Sequence, residues 1–120
     1  MRLIGLDIGN KRTGIALYDE RGISAKPLEV VETDKLSDRL RALVTEQGAS
    51  AVVVGRPRHL DGSLGAQAEI IDRTVELLKG SIPVNFLYED ETGTTQAANG
   101  TDADAACVIL QGYLDEQARQ

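Results

Sequence analysis

The stretch LDIGNKRTGIALYD, residues 6–19, sets a carboxylate in an apolar run and follows it at once with glycine, asparagine and two cations. Asp7 is flanked by Leu3, Ile4, Gly5, Leu6 and Ile8, a segment too apolar for an exposed loop and of the right length for a buried strand closed by Gly9. A carboxylate in that setting is costly unless a metal or a cation pairs it. After a turn at Gly9-Asn10, Thr13 to Tyr18, with β-branched Thr13 and Ile15, reads as a second strand. The opening residues therefore predict two adjacent strands, with an acid where the first one ends.

The rest of the chain completes the sheet. Arg21-Gly22 marks a turn, and Ile23 to Glu32 gives a third strand, most economically the last of an antiparallel meander. Thr33-Asp34 can cap a helix carrying Leu36, Leu40, Leu43 and Val44 at helical spacing and ending near Gly48. Ala51 to Gly55 has the composition of a central parallel strand buried on both faces. A second helix holds Ala68, Ile71, Val75 and Leu78 and stops at Gly80; Ile82 to Tyr88 is a fifth strand. A last helix carries Ala105, Ala106, Ile109, Leu110 and Tyr113. With no linker or repeat, residues 1–120 read as one domain. The order βββαβαβα predicts an α/β fold: a mixed five-stranded sheet with helices on both faces. Strands one, four and five then run parallel and end at one edge, where open α/β sheets place their ligands.

Composition narrows the chemistry. Hydrophobic residues make up 42% of the 120, but aromatics only 3%, so the core must be aliphatic. Thirteen Lys and Arg against 19 Asp and Glu give a net charge of −6, which argues against a general electrostatic grip on nucleic acid. Polyanion binding would have to be local or aided by bound cations. A single cysteine, Cys107, rules out an internal disulfide and suits a reducing cytoplasm. Asp7 interrupts the N-terminal apolar run before it reaches signal or membrane-spanning length, so no membrane partner is expected.

Acids converge on the shared edge. Asp7 ends strand one, Asp90 and Glu91 end strand five in LYEDETGTT, and Asp102 opens the last helix in TDADAACVIL. Blander readings exist for some of them: Asp102 and Asp104 also suit a helix cap, and Asp90-Glu91 a solvated turn. An oxygen-only carboxylate set suits one or two Mg²⁺ or Mn²⁺ ions, while one His and one Cys cannot build a zinc site. Two such ions can activate water and stabilise the leaving oxygen of a phosphodiester, which reconciles an acidic protein with a polyanionic substrate. In VVVGRPRHLDGSLG, Arg56, Arg58 and His59 leave the fourth strand beside a helix start and make a plausible phosphate seat, as do Lys11 and Arg12 after Asp7. The plain alternative for the arginines is a solvated loop shaped by Pro57 and Gly62. Cys107, among Ala and Val, reads as packing.

Four segments in order, LDIGNKRTGIAL, VVVGRPRHLDGSLG, YEDETGTT and DADAACVILQGYLD, resemble the YqgF (RuvX) family of RNase H-like bacterial nucleases, from Leu3 to Asp115. The resemblance implies an RNase H-like fold and a metal-dependent nuclease that cleaves Holliday junctions or processes the 5′ end of the pre-16S rRNA. It implies Asp7, the Asp90-Glu91 pair and Asp102 as catalytic, metal-binding acids. The substrate would be an rRNA precursor or branched DNA. A resolvase would favour a homodimer for a two-fold junction, and end-processing requires none. Two departures stand out: Thr92 replaces an expected Arg, and only Gln96 to Thr101 separates Thr95 from Asp102, where the family has a longer Lys-bearing segment. They keep open an inactive or weakly active nucleic-acid-binding relative. The opening motif also looks like the first phosphate element of actin-like and sugar-kinase ATPases, but those enclose a nucleotide between two such domains.

Overall fold

Seven residues of the N-terminal apolar run, Arg2–Ile8, form strand β1, and the sheet is built outward from it. The computed structural model describes residues 1–22, 24–57, 65–91 and 101–119. Strand β2 is Arg12–Asp19, β3 Lys26–Glu32, β4 Ala51–Pro57 and β5 Asn85–Glu91. The helices are α1 (Leu36–Gln47), α2 (Gly65–Ser81) and α3 (Asp102–Ala118). The strands form one mixed sheet in the order β3-β2-β1-β4-β5, with the β1–β2 and β2–β3 pairs antiparallel and the β1–β4 and β4–β5 pairs parallel. This is the expected βββαβαβα arrangement, with β1, β4 and β5 ending at one edge.

Strand alternation sorts the core into two layers. Ile4, Leu6 and Ile8 of β1 and Val52 and Val54 of β4 pack with Leu36, Leu40 and Leu43 of α1 and with Ile71, Val75 and Leu78 of α2. The opposite residues, Leu3, Ala51 and Val53, pack with Ala106, Ile109 and Leu110 of α3. Asp7 falls on the α3 face by the same alternation. These layers are aliphatic, and one helix covers a face that two helices cover on the other side.

Three starts differ from the sequence reading, and β4 and β5 run past the expected Gly55 and Tyr88 to Pro57 and Glu91. Thr33-Asp34 does not cap α1: Thr33–Lys35 form a 3-10 turn and Lys35 stands at the helix N-cap without a side-chain bond. The Thr33 hydroxyl is spent elsewhere, on the Gly9 carbonyl. The fifth strand starts at Asn85, because Ile82 is buried against the end of α2, its N–H donating to the Leu78 carbonyl at 2.9 Å. The third strand starts at Lys26, and Ile23 lies outside the described residues. Gly48 ends α1 as expected, at φ 62°, a left-handed turn that suits glycine.

The β4–β5 register positions the site. Strand β4 pairs with β1 only from Ala51 to Val54, but with β5 from Ala51 to Pro57. Gly55–Pro57 and Glu89–Glu91 thus form a two-stranded ribbon that runs beyond the last described β1–β4 pair.

Candidate nuclease site

Asp7 pairs in register with Gly14 of β2, and α3 begins directly above that glycine. A Cβ on Gly14 would sit 1.7 Å from the Asp102 carbonyl oxygen, so a bare backbone is what lets the helix start there. Thr101 caps α3: its hydroxyl accepts from the Asp104 N–H at 3.2 Å, and the Asp104 carboxylate accepts from the Thr101 N–H at 2.9 Å. Asp104 is therefore the capping acid. Asp102, the first helical residue, begins α3 over Gly14, the register partner of Asp7. Burial, and then the charge of Asp102, raise the Asp7 carboxyl above its ordinary value. The one ion pair on Asp102 among the described residues comes from Arg12, whose Nε lies 3.3 Å from Oδ2. The Arg12 side chain is 72% exposed, so this pair contributes little. Carboxylate oxygens of this kind are the donors that a hard divalent cation takes.

A polar lattice fixes the end of β1. The Gly9 N–H donates to the Arg12 carbonyl at 2.9 Å, closing the turn after Ile8. Thr33 donates to the Gly9 carbonyl at 2.7 Å, which leaves the buried Thr13 hydroxyl to donate to Thr33 Oγ1 at 2.9 Å. From the other side, Gln67 of α2 donates through Nε2 to the Ile8 carbonyl at 2.6 Å. Thr33 and Gln67 lie outside every motif singled out in the sequence; they hold the carbonyls of Gly9 and Ile8, the backbone that follows Asp7, and Thr13 supports Thr33.

The structure does not bring Asp90 together with Asp7 and Asp102. Asp90 pairs in register with Arg56, which reaches Asp72 on α2, and the Arg56 guanidinium lies over the Tyr88 ring, 5.9 Å from its centroid. Alternation then puts Tyr88 and Asp90 on the α2 side of the sheet. It puts Glu89 on the α3 side, where it is 7% exposed, one carboxylate oxygen 3.3 Å from where a Cβ of Gly112 would stand. Glu89 was not foreseen; a two-residue reading of strand parity would have found it. Glu91 pairs in register with Pro57, and its side chain lies outside the described residues. No cluster of three or more potential metal-binding side chains is present among the described residues.

The expected phosphate ligands divide similarly. Lys11 and Arg12 line a cleft of about 720 Å³ with Asn10, Glu32 and Asp34. Arg56 does not point into that cleft: Nε and Nη2 donate to the two Asp72 oxygens at 3.2 and 3.1 Å. Arg58, His59, Thr92 and the segment from Gln96 to Gly100 lie outside the described residues. Cys107 donates to the Ala25 carbonyl at 3.1 Å and packs beside the α3 core layer, as expected of a packing residue.

A five-stranded mixed sheet with an acid at the end of its central strand and a second at the start of the covering helix defines the RNase H-like class. Among solved structures, RuvC of Thermus thermophilus in complex with a Holliday junction superposes with a TM-score of 0.70, covering 99% of this chain and 96% of that one at 14% identity, a likeness of fold. The family model described as "RuvX: Holliday junction resolvase" matches residues 1–116, and the chain belongs to that family. A relative from Desulforamulus reducens, named "Putative pre-16S rRNA nuclease", is 34% identical over 137 residues, covering 99% of this chain and all of the relative. Another of the same name, from Rubrobacter xylanophilus, is 39% identical over 128 residues, covering 95% and 92%. The first alignment is longer than the 120 residues of this chain, so that relative carries segments this one lacks.

Proposed function

We propose that this chain is a divalent-metal-dependent nuclease that hydrolyses phosphodiester bonds in the cytoplasm, with the 5′ region of the 16S rRNA precursor as its substrate and branched DNA as a second one. The observation that carries the site is the start of α3 at Asp102 directly over Gly14, the register partner of Asp7. The substrate reading draws on the names of the full-length relatives, and the branched-DNA reading on the family description. Asp7 and Asp102 would hold Mg²⁺ or Mn²⁺, with Glu91 at the end of β5 as the third acid that the family resemblance suggests. Asp90 is left out of this set because its strand position faces α2. When bound, the ion supplies charge to a displaced phosphodiester oxygen and a water activated at neutral pH.

The chain's own groups prepare that chemistry. Thr33 and Gln67 fix the carbonyls of Gly9 and Ile8, so the backbone that carries Asp7 is set before substrate arrives. Lys11 and Arg12, on the turn and strand that follow β1, line a cleft where a phosphate of the substrate strand would meet them. A homodimer would suit a two-fold junction; an rRNA end requires one copy. The reading is tested by Mn²⁺-dependent cleavage of a 5′-extended 16S precursor fragment and of a four-way junction. Wild type should cut the precursor and Asp7→Asn should not. Cleavage by purified Asp7→Asn at the wild-type rate would contradict it.

A further inference from the structure

Residues 55–57 and 89–91 extend past the β1–β4 pairing as a two-stranded ribbon, and that ribbon carries Glu89, Asp90 and Glu91. Past Val54 this end of the sheet has no described partner on the β1 side, so contacts on its faces bear on its position. On the α3 side Glu89 lies under Gly112. On the α2 side Arg56 is one tie. Its two parallel hydrogen bonds to Asp72 join the ribbon to α2, and its guanidinium covers the Tyr88 ring, joining β4 to β5. A planar fork on a carboxylate is directional as well as strong, so it restrains orientation and not only distance. The pair is part-shielded, its side chains 27% and 43% exposed. Asp72 is held below its ordinary value chiefly by the bond from Arg56, with the Tyr88 hydroxyl adding to it.

We infer that Arg56 is a positioning residue for the nuclease site: its fork on Asp72 anchors the projecting β4–β5 ribbon to α2 and thereby sets the place of Glu91 at the end of β5. This rests on the nuclease reading above. A phosphate-binding arginine keeps its N–H fork available to an incoming strand. Here Nε and Nη2 are both engaged by Asp72, which a substrate phosphate would have to displace.

Three variants separate the two roles: Arg56→Ala, Asp72→Asn and the exchange Arg56→Asp with Asp72→Arg. Each is assayed below its melting temperature for kcat and KM on the precursor fragment. Affinity for a labelled four-way junction is measured at several salt concentrations, and amide hydrogen exchange is followed at residues 88–91. Arg56→Ala and Asp72→Asn should each lower kcat by roughly ten-fold or more, because displacement by an ångström is enough for such a loss. Junction affinity and its salt slope should stay the same, exchange at 88–91 should speed up, and the charge exchange should restore part of kcat. A flatter salt slope in Arg56→Ala, by ~0.9 for one lost duplex phosphate contact, with unchanged kcat in Asp72→Asn, would overturn the inference. Should wild type cut neither substrate, the nuclease reading fails alone. Exchange at 88–91 still decides the tie, and unchanged exchange in both Arg56→Ala and Asp72→Asn refutes it.

Discussion

Replacing Gly14 by alanine tests whether the closeness of α3 to the sheet is what makes the site. The added Cβ would fall 1.7 Å from the Asp102 carbonyl oxygen, 2.1 Å from its carbonyl carbon and 2.6 Å from the Ala103 nitrogen. All three are backbone atoms, so no side chain can swing away to make room. Relief to a 3.0 Å contact requires the start of α3 to retreat by about 1.3 Å, in an interior packed too densely to absorb it. Such overpacking costs about 1–3 kcal/mol, read as a lower urea midpoint. Asp102 moves with the helix while Asp7 stays on β1, and a misplacement of that size is worth on the order of 100-fold in rate. Gly80 provides the contrast: nothing lies within 4 Å of a Cβ there, so Gly80→Ala should gain about 0.5–1 kcal/mol and leave cleavage unchanged. If Gly14→Ala keeps wild-type stability and rate, the close approach has no bearing on the site.

Two further predictions concern the neighbours of β1. In the metal-free protein Asp7 titrates above its unfolded value of 3.8, so its ionisation costs stability. The cost is absent well below pH 3.8 and grows as pH rises through the raised folded value, so Asp7→Asn should be the more stable protein at neutral pH and lose that advantage in acid. Urea midpoints across pH check this, and parallel profiles for the two proteins would refute it. Thr33→Val should destabilise by about 1–3 kcal/mol, because it leaves the Gly9 carbonyl and the buried Thr13 hydroxyl without the partner that joins them. Chemical denaturation measures it, and Thr13→Val in the same background should then cost little more.

The sequence made the sheet legible where a single strand's composition decides it. Residues 3–8 are apolar but for Asp7, and residues 51–54 are apolar throughout, as suits central strands covered on both faces, and Asp7 is conspicuous for that reason. What the sequence hid depends on pairing between distant segments. Ile82 looks like the start of a strand, and it is the contact with α2 that makes it a core plug instead. The difference between Glu89 and Asp90 is one step of alternation, fixed by the register Gly55↔Glu89 and Arg56↔Asp90, and a one-residue slip exchanges the faces. Arg56 beside Arg58 reads as a basic loop until Asp72, sixteen residues on, is seen to hold it. Thr33 looks like a helix cap because local spacing cannot reveal that Gly9, across the sheet edge, takes its hydroxyl.

The central claim is that Asp7 and Asp102 together hold a divalent ion. Calorimetric titration of Mn²⁺ into metal-free wild type, Asp7→Asn and Asp102→Asn, with no nucleic acid present, tests it most directly. Wild type should bind, and each variant should lose at least ~10-fold in affinity, since even partners one step removed from a metal are worth that much. Asp90→Asn, whose side of the sheet faces α2, should bind like wild type. Undiminished Mn²⁺ binding in both Asp7→Asn and Asp102→Asn would contradict the account.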